Sequence, residues 1–139
     1  MKSIDDELPA GLELSDPART ERVGAVLAAA MAELDVTVVV CWDTSEDTVL
    51  GHVVARELGA ELVLAEEIEG IVSLLQPLPA DARVALVAEE FRAHTGLAGL
   101  SGVVKHAAGE LVAVAAGRGT PELAGTEAAA ARLVRPEAG

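Results

Sequence analysis

Glu89 and Glu90 stand side by side directly after the apolar run Arg83 to Ala88, and Thr95 and Gly96 follow shortly before the periodic stretch that begins at Leu97. Two adjacent carboxylates there can accept hydrogen bonds from vicinal sugar hydroxyls. The free backbone N–H groups at a helix start can hold a phosphate. Together they outline a ribose 5-phosphate site. A second polar cluster, DTSED from Asp43 to Asp47, follows another apolar run, Val36 to Trp42. Each has a plainer reading: adjacent acids often end a strand in water, and Asp43 to Asp47 also reads as a solvated turn with Asp47 capping the next helix. His94 beside Thr95 could bond a phosphate or exchange a proton, and Arg92 is the nearest cation, or a surface partner of Glu89 or Glu90. His52 and His106 fall on separate helical stretches with no metal-ligand spacing, so no protein-held metal is expected. Cys41 reads as a small core residue.

The elements that must position these residues follow from periodicity. Ser15, Asp16 and Pro17 open a helix over about 16–34, with Val23, Val26, Leu27, Ala30, Met31 and Leu34 at helical spacing. Val36 to Trp42 is β-branched and almost wholly apolar, as a strand covered on both faces should be. From Thr48 a second helix carries Val49, Leu50, Val53, Val54 and Leu58 and closes at Gly59. Strands are expected at Leu62 to Ala65, around Ile71 to Leu75, at Arg83 to Ala88 and at Leu111 to Ala116. A helix of about 97–108 lies between the last two, and ARLVRP adds a short edge strand. Residues 1–14 form an extended lead-in.

Apolar strands joined by helices imply an α/β domain, a mainly parallel twisted sheet with helices on both faces. Ligands of such sheets bind at the carboxyl ends of strands, where both polar clusters lie. A chain of 139 residues that is 51% hydrophobic fills one domain, and with only Trp42 and Phe91 as aromatic residues its core must be Val, Leu and Ala. A formal charge of −13 repels phosphate backbones and anionic lipid, so neither nucleic acid nor a membrane surface is an expected partner. One cysteine allows no internal disulfide, and no signal-peptide core or membrane span is visible, which fits a cytoplasmic protein. An exposed sheet edge or apolar helix face in so small a domain invites a homodimer or a protein partner.

The stretch VALVAEEFRAHTGLAG, Val84 to Gly99, resembles the phosphoribosyl pyrophosphate (PRPP) motif of type I phosphoribosyltransferases: an apolar strand, two acids, a few residues, then Thr-Gly and a helix. LPADARVALV and HAAGELVAVAA resemble the segments before and after that motif. VTVVVCWDTSED followed by TVLGHVVARELGAELVLA has the family's order of first strand, pyrophosphate loop, helix and second strand, so the resemblance covers about 36–116. It implies that Glu89 and Glu90 hold the ribose hydroxyls, that Ala93, His94, Thr95, Gly96 and Leu97 wrap the 5-phosphate, and that Asp43, Thr44, Ser45, Glu46 and Asp47 occupy the pyrophosphate loop. It also implies Mg²⁺ when the site is active, with an oxocarbenium-like ribose attacked by a nucleobase nitrogen.

Three departures accompany the resemblance. The motif has Glu where Asp is usual, one residue more before Thr-Gly, and Ala98 and Gly99 where a second Thr would stand. Asp43 to Asp47 holds three acids and no base, and a carboxylate ~4 Å from a phosphate charge costs about 1 kcal/mol in water and about 4 at an effective dielectric of roughly 20. The stretch from Leu64 to Ile71 is too short for a long mobile loop, and little chain remains for a base-binding hood. The expected protein binds PRPP or another ribose 5-phosphate ligand and transfers phosphoribosyl to or from a nucleobase. The alternative is a non-catalytic relative that senses a metabolite or binds a protein.

Overall fold

The computed structural model describes residues 16–92 and 96–136. Helix α1, Pro17–Ala30, starts at an Asp16 cap whose Oδ1 accepts the Arg19 N–H at 3.2 Å. Pro17 follows at the position where a missing N–H costs nothing. The cap is thus Asp16, one residue later than the Ser15 start, and Ser15 lies outside the described residues together with the 1–14 lead-in. The helix ends at Ala30, and a single 3₁₀ turn, Ala32–Leu34, completes the expected stretch.

Strand β1, Val38–Trp42, has every residue from Val38 to Cys41 buried, so both of its faces are covered. Helix α2, Ser45–Leu58, begins three residues before Thr48, because the Thr44 hydroxyl caps it and draws Ser45 to Asp47 into the first turn. Strand β2, Glu61–Ile68, is longer than expected at its C-terminal end and pairs antiparallel with β3, Ile71–Leu74. Glu69 at φ 51° and Gly70 at φ 82° connect them in a two-residue turn of the kind whose twist suits a hairpin. Strand β4, Arg83–Ala88, leads to α3, Leu97–His106, then to β5, Glu110–Ala116, and to a short β6, Arg132–Val134.

The six strands lie in the order β3-β2-β1-β4-β5-β6, parallel except for β3. The period-two alternation of strand side chains divides the core. Val39, Ala85, Val87, Ala113 and Ala115 face Leu27 and Met31, from α1 and its end, and Leu50 and Val54 of α2. Val38, Val40, Val84, Leu86 and Val114 face Leu97, Leu100 and Val104 of α3. After β1 the chain moves to β2 on one side and then returns to β4 on the other, so the sheet's topological switch point lies between the ends of β1 and β4. No described helix is long and apolar enough to cross a membrane.

Close approach of α1 to α2 depends on Gly24: a β-carbon there would fall inside the Val53 side chain, 2.8 Å from its Cβ. Alanine gains about 1 kcal/mol of helix propensity over glycine, and over-packing costs about 1–3 kcal/mol. Gly24→Ala is therefore expected to lose up to about 2 kcal/mol net. Gly102 in α3 has open space around its Cα, so Gly102→Ala should gain about 0.5–1 kcal/mol. Urea denaturation midpoints that move in opposite directions are the expected result.

Candidate functional site

The switch point is built by hydrogen bonds between β1, α2 and β4. The Trp42 carbonyl accepts the Thr44 N–H at 2.8 Å and the Thr48 hydroxyl at 3.5 Å, which turns the chain out of β1 directly into α2. The Thr44 Oγ1 accepts the Asp47 N–H at 3.4 Å. Asp47 was a candidate cap of α2; its carboxylate instead crosses to β4, where Oδ1 accepts the Glu89 N–H at 2.8 Å, and the side chain is buried. The expected free loop from Asp43 to Asp47 is thus two residues of turn, Asp43 and Thr44, followed by helix. Asp43 itself is held by its N–H on the Ala65 carbonyl at 2.8 Å.

The two acids after β4 part company. Glu90 is exposed. Glu89 is buried and its Oε1 accepts from Arg118 Nε at 2.7 Å, just beyond the end of β5. The same junction is laced through the backbone: Gly117 N–H donates to the Ala88 carbonyl at 2.9 Å and Arg118 N–H to that of Glu89 at 2.7 Å. Burial pushes the carboxyls of both Asp47 and Glu89 above their usual range. For Asp47, the bonds from Glu89 and Thr44 oppose the shift; for Glu89, Arg19 opposes it while Asp47, Glu90 and Glu46 add to it. Burial, reinforced by Asp47 and Asp43, likewise pushes the Cys41 thiol far up, in keeping with a core residue.

Gly96 starts α3, and among the described residues no side chain caps it. Its backbone lies so close to the preceding turn that a β-carbon would sit 2.6 Å from Arg92 N and 2.8 Å from its carbonyl oxygen. Only glycine fits there. Ala93, His94 and Thr95, the rest of the expected phosphate-binding stretch with Gly96 and Leu97, lie outside the described residues.

These parts meet in one crevice of about 990 Å³. It is lined by Asp43, Thr44, Glu46 and Asp47 from the β1 end, by Glu89 to Arg92, by Gly96 to Ala98, and by the β2 end and the segment around Thr120 to Glu122. Ser45 is not among the lining residues; it is the first residue of α2 and exposed. Eight of the lining side chains are carboxylates and Arg92 is the one cation among the described lining residues. No group of three or more His, Cys, Asp or Glu among the described residues could hold a metal ion. Mg²⁺ characteristically binds through one or two carboxylates plus the phosphates of its ligand. The six lining carboxylates that are not buried, Asp43, Glu46, Glu66, Glu67, Glu90 and Glu122, have the chemistry to share a cation that arrives with a phosphate.

Sequence reasoning passed over Arg118 and the Thr120 to Glu122 segment. Both follow β5, and the rule that parallel strands present ligands at their carboxyl ends applied to β5 as much as to β1 and β4.

No protein-family model and no curated protein matches the sequence. Solved structures do match in shape. An adenine phosphoribosyl transferase from Trypanosoma brucei, in complex with AMP, pyrophosphate and ribose-5-phosphate, superimposes with a TM-score of 0.69 at 18% identity, over 91% of this chain and 67% of that one. A purine phosphoribosyltransferase from Pyrococcus horikoshii Ot3 gives a TM-score of 0.59 at 17% identity, over 85% and 87% of the two chains. A hypothetical protein from Neisseria gonorrhoeae with bound ppGpp gives 0.62 at 14% identity, over 84% and 77%. At these identities the likeness shows the fold.

Raised carboxyl pKa values have a definite sign in stability. The folded chain holds the Asp47 and Glu89 protons more tightly than the unfolded chain, so their contribution is greatest at low pH and is lost as pH rises from about 4 through the raised values. Asp47→Asn keeps an acceptor for the Glu89 N–H without the charge. It should flatten the pH dependence of stability between about pH 4 and 7 and equal or exceed the parent at pH 7. Asp47→Ala strands the Glu89 N–H and should cost about 1–3 kcal/mol, as read from denaturation curves across that range.

Proposed function

We propose that this chain, which has the fold of the type I phosphoribosyltransferases, binds a ribose 5-phosphate ligand such as PRPP in the crevice between the ends of β1 and β4. The observation that carries this reading is the convergence on one crevice of Glu90, which is exposed, Arg92 and the start of α3 at Gly96 and Leu97. Glu90 accepts hydrogen bonds from the ribose hydroxyls, the first amides of α3 meet the 5-phosphate, and Arg92 supplies charge beside it. Glu89 can join the ribose when its pair with Arg118 opens. Mg²⁺ entering with the ligand would neutralise phosphate charge against the acids of the rim. The ligands of the Trypanosoma brucei enzyme, AMP, pyrophosphate and ribose-5-phosphate, support this chemistry on this fold.

A second reading, binding without transfer, is favoured by two particulars. The Arg118 pair engages one of the two acids, and the eight carboxylates that line the crevice burden any pyrophosphate leaving group. The ppGpp-bound protein from Neisseria gonorrhoeae is an instance of this fold with a phosphorylated nucleotide bound.

Calorimetric titration of PRPP with Mg²⁺ is expected to give a saturable isotherm, which Glu90→Ala weakens about 10-fold or more, the scale of a charge-assisted hydrogen bond. A flat titration at millimolar ligand would end the reading. Pyrophosphate release with a panel of nucleobases separates the two alternatives: turnover establishes transfer, and binding without turnover establishes a ligand-binding protein.

A further inference from the structure

Trp42 is the only tryptophan of a chain with one other aromatic residue, and it packs at the margin of the core rather than within it. It is the last residue of β1, half-buried, and lines the crevice. Its two ends reach different elements. The backbone carbonyl receives Thr44 and Thr48 and so fixes the start of α2. The indole Nε1–H donates to the Gly96 carbonyl at 3.2 Å, across 54 residues of sequence. The ring also lies beneath the first turn of α3, where a β-carbon on Gly99 would be 3.6 Å from Cη2 and 3.7 Å from Cζ2. Gly99 thus lets α3 rest on the indole. The Gly96 carbonyl in turn accepts the Leu100 N–H at 3.3 Å, so the indole bond converges on the same oxygen that opens the helix.

We propose that Trp42 is a positioning residue, the strut that sets the start of α3 against the start of α2 and thereby fixes the spacing of the two walls between which the ligand binds. An apolar residue of similar bulk would fill the space but leave the Gly96 carbonyl without its second donor. Nothing else among the described residues reaches from β1 to that oxygen. The ligand-binding half of the inference rests on the reading of the crevice as a ribose-phosphate site; the structural half does not.

The test uses the full chain and Trp42→Phe, which keeps an aromatic ring and removes the N–H. Hydrogen exchange, with no ligand present, is expected to quicken at residues 96–101 in Trp42→Phe, while the β4 and β5 amides keep the parent's rates. Unchanged exchange at 96–101 overturns the strut, whatever the ligand does. In calorimetry with PRPP and Mg²⁺, Trp42→Phe should bind about 3- to 10-fold more weakly, the range of one neutral hydrogen bond. Because Trp42 is the sole tryptophan, its emission in the parent should shift on titration and saturate at the same ligand concentration as the heat. Heat without an emission change, or equal affinity in the variant, overturns the role in binding. No heat with the parent overturns the reading of the crevice, and the exchange experiment then still decides whether Trp42 holds α3.

Discussion

The carboxylate of Asp47 and the backbone N–H of Glu89 meet at 2.8 Å in a buried position, and the geometry of the crevice depends on that bond. The backbone ladder fixes β1 against β4, but apolar side chains alone leave a helix on the sheet free to settle at more than one height. A buried carboxylate bonded to a particular backbone amide narrows that choice, because leaving the buried N–H unpaired costs about 1–3 kcal/mol. The bond fixes the first turn of α2 against the end of β4, and the capping bond from Thr44 holds Asp47 in that turn. Burial of the junction pushes both carboxyls above their usual range, and for Asp47 the bond itself works against that shift.

Around that bond the two adjacent acids acquire different characters although they are chemically identical. Glu89 turns inward to Arg118 and continues the β4-to-β5 ladder through its carbonyl. Glu90 points to the crevice side and stays exposed. The alternation of side chains along an extended chain is sufficient cause: of two neighbours leaving a strand, one faces a helix layer and the other does not. A pair of acids in sequence thus becomes one structural acid and one available acid.

Much of this was legible in the residues. The β-branched runs at β1 and β4 marked strands buried on both faces, and the crossover order put the ends of β1 and β4, with Asp43 and Glu89 to Arg92, at the same end of the sheet. What local pattern could not give was the outcome of competition between capping residues. Thr44 and Asp47 are both good caps, and periodicity alone favoured a start near Thr48; the tertiary demand of the Glu89 amide for an acceptor took Asp47 out of the contest. Likewise Arg83 to Ala88 announced itself by its composition, while the extension of β2 through Glu66 and Glu67 did not, because charged residues at a sheet margin are held there by pairing with β3 rather than by propensity. Arg118 escaped notice for a related reason: its partner lies 29 positions away and its neighbours are all small.

The hairpin of β2 and β3 bears on the kinetics of whatever the crevice holds. Its turn is two residues long, with both of them in the left-handed conformation that the strands' twist requires, so on that side the rim is a stiff corner rather than a flap. Where a long loop must swing aside, ligand exchange waits on a conformational step. A two-residue hairpin imposes no such step on that side, and for the proposed ligand the repulsion between acids and phosphate, which ionic strength and divalent cations modulate, would set the approach instead. A site reached in that way would follow the surrounding concentration promptly and shield a reacting centre poorly.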